Sequence, residues 1–179
     1  MTGAPPLPAR SDRVAEIVRA AHGLLEAGGP EAVSMRAIAD RLSIKAPSLY
    51  KHVRDKAELE ALLIADGLLD MGIVLHAAVA TPDAGAVARL LAAYRDHARR
   101  TPALYRLVTG GSLERGRLPD GLEDWSGQPF WLACDEQPYR AQALWGATHG
   151  LTILEIDGRF SDTSDLDRSW SELAAAFTV

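Results

Sequence analysis

Ser34-Met-Arg-Ala-Ile-Ala-Asp-Arg-Leu-Ser-Ile-Lys-Ala-Pro-Ser-Leu-Tyr-Lys-His-Val-Arg-Asp-Lys-Ala-Glu-Leu59 decides the fold. Ser34 is placed to cap a short helix running to about Leu42, with Ile38, Ala39 and Leu42 on its apolar side. A three-residue link, Ser43-Ile44-Lys45, follows. A second short helix spans about Ala46 to Val53 and carries Pro47 in its first turn, where a missing N–H costs nothing. This spacing has the dimensions of a helix-turn-helix. The second helix of such a unit must be short and bare on one face, because it enters a major groove ~12 Å wide. Ile44 reads as the buried pin of the turn and Leu49 as the inward side of the second helix. Lys45, Ala46, Pro47, Ser48, Lys51 and His52 remain for the DNA side. Small residues at 46–48 permit close approach to base edges. Tyr50, Lys51 and His52 suit phosphate, as does Lys56 at the start of the next helix, where the dipole attracts an anion. Plainer alternatives stay open: Tyr50 as a core aromatic, His52 as a solvated side chain. Arg36 opposes the dipole of its own first turn, which either a phosphate or a surface ion pair would explain.

Charge is distributed unevenly around this stretch. The chain has 179 residues and a net charge of −5, yet residues 1–56 hold nine Lys+Arg against six Asp+Glu. Residues 57–179 hold ten against eighteen. All three lysines, Lys45, Lys51 and Lys56, fall within the quoted stretch. A basic segment on an acidic body points to a local polyanion contact.

Outward from there the apolar spacing stays helical, and no sustained period of two predicts a sheet. A helix from Ser11 to about Ala27 carries Val14, Ile17, Val18, Ala21, Leu24 and Leu25 as one stripe, with Gly28 as its left-handed cap. Asp55 and Glu58 form a capping-box pattern for a long helix to about Val79. Further helices are expected over 83–100, 102–109, 138–160 and 166–177. Residues 110–129 hold five Gly and two Pro, too many for a helix interior, and the conformation of 129–134 is left open. The expected organisation is all-α: a flexible arm over 1–10, a DNA-binding domain over 11–56, and a helical ligand-binding and dimerisation domain over 57–179.

The body supplies candidates for a small-molecule site. It holds all four tryptophans and no lysine. Tyr94 and His97 are the polar-handle candidates, with Trp131 and Trp145 as walls. Trp145 and His149 lie four apart on one helical face, either lining a cavity or packing the helix on its neighbours. Such a lining suits an apolar organic effector with one or two polar groups. No catalytic constellation, metal site or cofactor is expected. Cys134 is the only cysteine, which fits a reducing cytoplasm. The uncharged stretch Met71–Pro82 is shorter than the ~20 residues of a membrane span, and the first ten residues have no signal-type apolar core.

The quoted stretch resembles the N-terminal DNA-binding domain of the tetracycline-repressor (TetR) family, most specifically in Leu49-Tyr50-x-His52-Val53-x-x-Lys56-x-x-Leu59. Trp145, His149 and Gly150, running into Leu154-Glu155-Ile156-Asp-Gly158, look like the ligand-domain type named for its Trp, His and Gly. The resemblance implies a homodimeric, ligand-responsive regulator, a repressor that binds a palindromic operator in double-stranded DNA. It also implies that the last two helices pair with their symmetry mates, for which Ala141, Leu144, Thr148, Leu151, Leu173 and Phe177 offer small and aliphatic surface. Two positions depart from the family pattern. Ser43 stands where the family usually has Gly, at a cost of about 1 kcal/mol if φ is positive. Lys45 stands where a Ser or Thr often caps the second helix. The reading of another class is a helical small-molecule-binding protein or enzyme with no DNA function. Salt-dependent duplex affinity separates the two.

Overall fold

The computed structural model describes residues 3–110 and 114–178. Nine α-helices occur among them and no strand: α1 Asp12–Gly28, α2 Met35–Arg41, α3 Ala46–Leu49, α4 Lys56–Ala78, α5 Ala86–Arg100, α6 Pro102–Thr109, α7 Leu122–Ala133, α8 Pro138–Ile156 and α9 Leu166–Phe177. The chain forms two units, one of Met1–Leu69 with Thr101–Glu123, the other of Asp70–Arg100 with Asp124–Val179.

In the first unit, Ser11 Oγ accepts from Val14 N at 3.3 Å and starts α1. Ile17, Val18, Ala21 and Leu25 are buried along one side. Burying each large aliphatic side chain contributes about 1.5–3 kcal/mol. The glycine of positive φ that ends α1 comes one residue later than the sequence suggests, and its ψ of −173° is not that of a left-handed helical cap. Gly28 is still helical, and Gly29, at φ 73°, donates its N–H to Leu25 O at 2.8 Å. Helix α2 begins as expected, with Ser34 Oγ accepting from Ala37 N at 3.1 Å. It ends in a Schellman turn: Ser43 N bonds Asp40 O at 3.1 Å and Ile44 N bonds Ala39 O at 3.0 Å. Ser43 has φ 55°, so a side chain occupies the position that favours glycine.

The regular part of α3 stops at Leu49, short of the expected Val53. The N–H groups of His52 and Val53 both turn back to Leu49 O. Asp55 Oδ1 accepts from Glu58 N at 2.7 Å, one half of the capping box. The other half is displaced, since Glu58 Oε2 accepts from Arg54 N at 2.6 Å instead. Helix α6 packs into this unit: Leu104 belongs to the core that contains Ile17, Ile38 and Leu49. A Cβ at Gly67 of α4 would stand 2.6 Å from Val108 Cγ2 of α6, so the helices meet where α4 has no side chain.

The second unit corrects the expectation for 110–129. Residues 122–133 form α7, although Gly127 and Pro129 lie inside it. Pro129 has no N–H to give Trp125 O, four residues earlier. His76 Nε2 donates to that carbonyl instead, at 2.9 Å, and its ring stacks on the Trp125 indole with centroids 4.6 Å apart. Trp125 lies directly against α4, where a Cβ on Gly72 would meet Cζ3 at 2.3 Å. Residues 111–113 of the expected loop lie outside the described residues.

Helix α5 starts at Ala86 rather than Asp83, whose Oδ1 accepts from Gly85 N at 2.8 Å in the turn before it. Glu155 ties α5, α8 and α9 together. It accepts from Arg95 Nε at 2.8 Å and from Trp170 Nε1 at 2.9 Å. Burial works to raise its pKa, but those hydrogen bonds hold it below the usual carboxylate range. Helix α8 ends at Ile156, before the expected 160, in another Schellman turn with Gly158 at φ 59°. By length and composition α4 is apolar enough to cross a membrane. Its Leu59, Leu63, Met71 and Leu75 are buried in protein, and Asp66 takes Arg10 Nη1 at 2.8 Å.

Candidate nucleic-acid interface

Leu49 and Val53 are buried, and Ile44 packs against the same core. These three pins hold α3 and leave its other side bare. Lys45, Pro47, Lys51 and His52 are exposed, and Ala46 and Ser48 are partly so. Tyr50 is 55% exposed, which rules out the core-aromatic alternative. Lys45 precedes α3 without a side-chain cap bond, so the capping role is indeed missing there. Lys56 reaches Glu60 Oε1 at 3.5 Å and stays half exposed. Arg36 lies 4.0 Å from Asp40 in an exposed ion pair, a partner of little strength that a phosphate can displace. Sequence reasoning passed over Arg54. It is exposed between Lys51 and Lys56 and shares Glu58 at 3.2 Å; the run of cations from 45 to 56 was the available signal.

The candidates in the body divide into separate pairs. Tyr94 is buried and meets Phe130 edge-on with centroids 5.6 Å apart. Trp145 stacks with His149 at 6.2 Å and is 49% exposed, so it faces outward and does not wall an interior cavity. Trp131 is half-buried. Burial lowers the pKa of His97, and Arg100 lowers it further against an opposing pull from Asp70. Burial alone lowers that of His149. Both shifts favour the neutral imidazole, in which one ring nitrogen donates and the other accepts.

Three of the six residues expected in a seam between copies are occupied within their own unit. Leu144 and Thr148 are fully buried within their own unit, and Ala141 nearly so. Thr148 Oγ1 and Thr152 Oγ1 bond the carbonyls of Leu144 and Thr148 at 2.7 and 2.8 Å, which lets their methyl sides face the core. Those residues fasten α8 to its own body. Leu151, Leu173 and Phe177 are half-buried. The bare side of α8 is another stripe: Tyr139, Gln142, Ala143, Gly146, Ala147 and Leu154 are exposed at three- and four-residue spacing. A Cβ on Gly146 or Gly150 would meet nothing within 4 Å.

A short basic helix held on buried pins, its polar side free, defines a DNA-binding helix-turn-helix protein. Comparison with known proteins sharpens this. Residues 17–62 match the family model for bacterial regulatory proteins of the tetR family, and residues 87–177 match the tetracyclin repressor-like C-terminal domain. The chain belongs to the TetR family of transcription regulators. It is 28% identical over 170 residues to an uncharacterized HTH-type transcriptional regulator of Mycobacterium tuberculosis, covering 88% of this chain and 76% of that one. Its fold is similar to that of a TetR-like transcriptional regulator from Rhodococcus sp. RHA1, with TM-score 0.65, 19% identity and 95% of each chain covered. A TetR variant from Acinetobacter baumannii AYE, solved in complex with minocycline, aligns with TM-score 0.61 and 18% identity over 90% of this chain and 93% of that chain.

Proposed function

We propose that this regulator is a cytoplasmic repressor that binds a palindromic operator as a homodimer and releases it when an apolar organic effector enters the body. The observation that carries the reading is the α3 edge. Tyr50, Lys51 and His52 stand exposed directly beside the buried Leu49 and Val53. Tyr50, Lys51, His52, Lys56 and Arg36 serve phosphate, which fixes register without reading sequence. Lys45, Ala46, Pro47 and Ser48 face base edges and set sequence preference.

Two copies join through the bare stripe of α8 together with α9. Small residues there let two helices approach closely, and Tyr139, Trp145 and Leu154 add apolar area. We assign Trp145 and His149 to the edge of that seam. A two-fold dimer reads half-sites ~34–36 Å apart or a multiple of it. Tyr94, His97 and Trp131 remain the effector candidates, and their apolar company suits a ligand with a single hydrogen-bonding handle. The relative that holds minocycline supports an organic effector. The effector acts only if it binds one arrangement of the two reading heads more tightly than the other.

Selection from a random duplex pool tests the operator reading. The expected outcome is an enriched sequence with two-fold symmetry, bound with an affinity that falls steeply between low and physiological salt. A pool that shows no enrichment, or binding indifferent to salt, overturns it.

A further inference from the structure

Helix α6 begins without a cap of its own. Its preceding residue, Thr101, makes no side-chain cap bond. The first turn of a helix nevertheless has N–H groups that its own backbone cannot satisfy. Here Pro102 has no N–H, and Tyr105 N already bonds Thr101 O at 2.9 Å. That leaves Ala103 and Leu104. Both donate to one carboxylate on α1: Leu104 N to Glu26 Oε1 at 2.7 Å and Ala103 N to Glu26 Oε2 at 3.3 Å. Helix α6 therefore takes its N-terminal cap from a residue more than seventy positions earlier in the chain.

The position of Glu26 in α1 makes the same point independently. It lies in the last turn of α1, where the helix dipole disfavours an acid, and that turn holds no basic residue to offset it. His22, one turn back, stands 3.9 Å from Oε1, beyond hydrogen-bond reach. Locally the glutamate is in the wrong place. At the positive end of α6 it is in a favourable one, about four-fifths covered, with two charge-assisted hydrogen bonds. Below it, Leu104 enters the core that carries α3, so the cap and the core hold the same turn of α6.

We propose that Glu26 is a positioning residue for DNA recognition: by capping α6 it fixes the attitude of the reading head. The proposal rests on the operator reading above. Residues 70–100 and 124–179 form the other unit, so α6 is where the chain returns to the reading head between two visits to the body. A rearrangement that draws the first turn of α6 away strands the carboxylate and two N–H groups at once.

The test uses the duplex recovered by selection and a mixed-sequence duplex of the same length, with the full chain and its Glu26→Ala and Glu26→Gln variants. Glu26→Ala is expected to weaken the selected duplex about tenfold, the size of losing a charged acceptor from two donors. Affinity for the mixed duplex and the salt slope should stay unchanged, because phosphate contacts do not require the heads to be in register. Glu26→Gln keeps an acceptor oxygen and should recover about half of the loss, leaving about threefold weakening. Hydrogen exchange at the Ala103 and Leu104 amides should quicken in Glu26→Ala alone. If those amides lose protection while the selected duplex is bound as before, the cap is structural and the proposal is overturned. A parallel loss on both duplexes, reporting damaged protein, overturns it as well. Should Glu26→Ala fail to fold, Glu26→Gln decides, with about threefold weakening expected for the selected duplex and no change counting against. No enriched duplex for the unmodified chain would sink the operator reading, and the proposal with it, before any variant is made.

Discussion

Helices α2 and α8 end in the same turn and each borders a bare surface, but the two surfaces have opposite chemistry. Past the Ser43 turn, α3 exposes lysine, tyrosine, histidine and small residues over a fully buried Leu49. Before the Gly158 turn, α8 exposes Tyr139, Trp145 and Leu154, interleaved with Ala143, Gly146 and Ala147. A polar bare face can rest in water until a polyanion arrives. An apolar bare face of this length is costly in water and asks for a permanent cover. On the proposed reading, the two exposed faces meet two kinds of partner, and residue chemistry tells them apart.

The largest expected effect comes from exchanging the two sides of α8. Ala147→Glu puts an unpaired carboxylate into the proposed seam, and we expect a loss of about 3–5 kcal/mol in dimer stability. Light scattering at micromolar concentration should then report monomer, with helicity preserved. Leu144→Ala, on the buried side, should instead cost about 2–5 kcal/mol of folding stability and leave the dimer intact. A monomeric Leu144→Ala protein beside a dimeric Ala147→Glu protein would return the seam to the side first expected for it.

A smaller effect tests the polar face. Lys51→Ala and Lys56→Ala each remove one cation from the phosphate side. Together they remove four phosphate contacts from the dimer and should flatten the slope of log affinity against log salt by about 4, roughly one unit per contact. Base preference should be untouched. Tyr50→Phe should weaken all duplexes alike, by about tenfold, through one lost phosphate hydrogen bond in each protomer. Lys45→Ala with Ser48→Ala should alter base preference instead. An unaltered preference profile for that pair would remove α3 as the reader.

The sequence was readable where the determinants are close neighbours. Ser34 caps α2 three residues ahead, Pro47 fits the first turn of α3, and Leu49 and Val53 are pinned as their spacing predicts. It misled where a residue far along the chain supplies what local chemistry lacks. Pro129 looked like a helix breaker because nothing nearby announces that His76 will take the carbonyl it leaves free. Ala141, Leu144 and Thr148 are expected on the seam yet buried in their own unit, and the reason differs. Both sides are largely uncharged, and Thr148 and Thr152 look like surface residues until their hydroxyls are seen bonded to α8's own backbone. Periodicity locates an apolar stripe; on a helix with two such stripes it does not say which one faces the core.

The finest comparison is between the two turns themselves. In each, the residue after the cap donates to a carbonyl three back and the next residue donates to one five back: Ser43 and Ile44 after α2, Gly158 and Arg159 after α8. Their φ angles, 55° and 59°, are nearly the same. Hydrogen bonding is matched, so the side chain is the difference. A Cβ in the left-handed region clashes with the following carbonyl, at a cost of about 1 kcal/mol that glycine avoids. Ser43→Gly should therefore stabilise the chain by about 1 kcal/mol minus the extra freedom glycine gives the unfolded state, a net gain of a few tenths or more. Gly158→Ser should lose a comparable few tenths, about 1 kcal/mol of backbone strain less the unfolded-state freedom that serine removes, since a Cβ there meets open space and only the backbone resists. Thermal unfolding of both variants reads the pair directly. If Ser43→Gly is neutral or destabilising while Gly158→Ser costs the expected amount, the serine side chain contributes something at the reading head that the backbone comparison misses. Duplex binding by Ser43→Gly would then show whether that contribution lies in the fold or on the DNA.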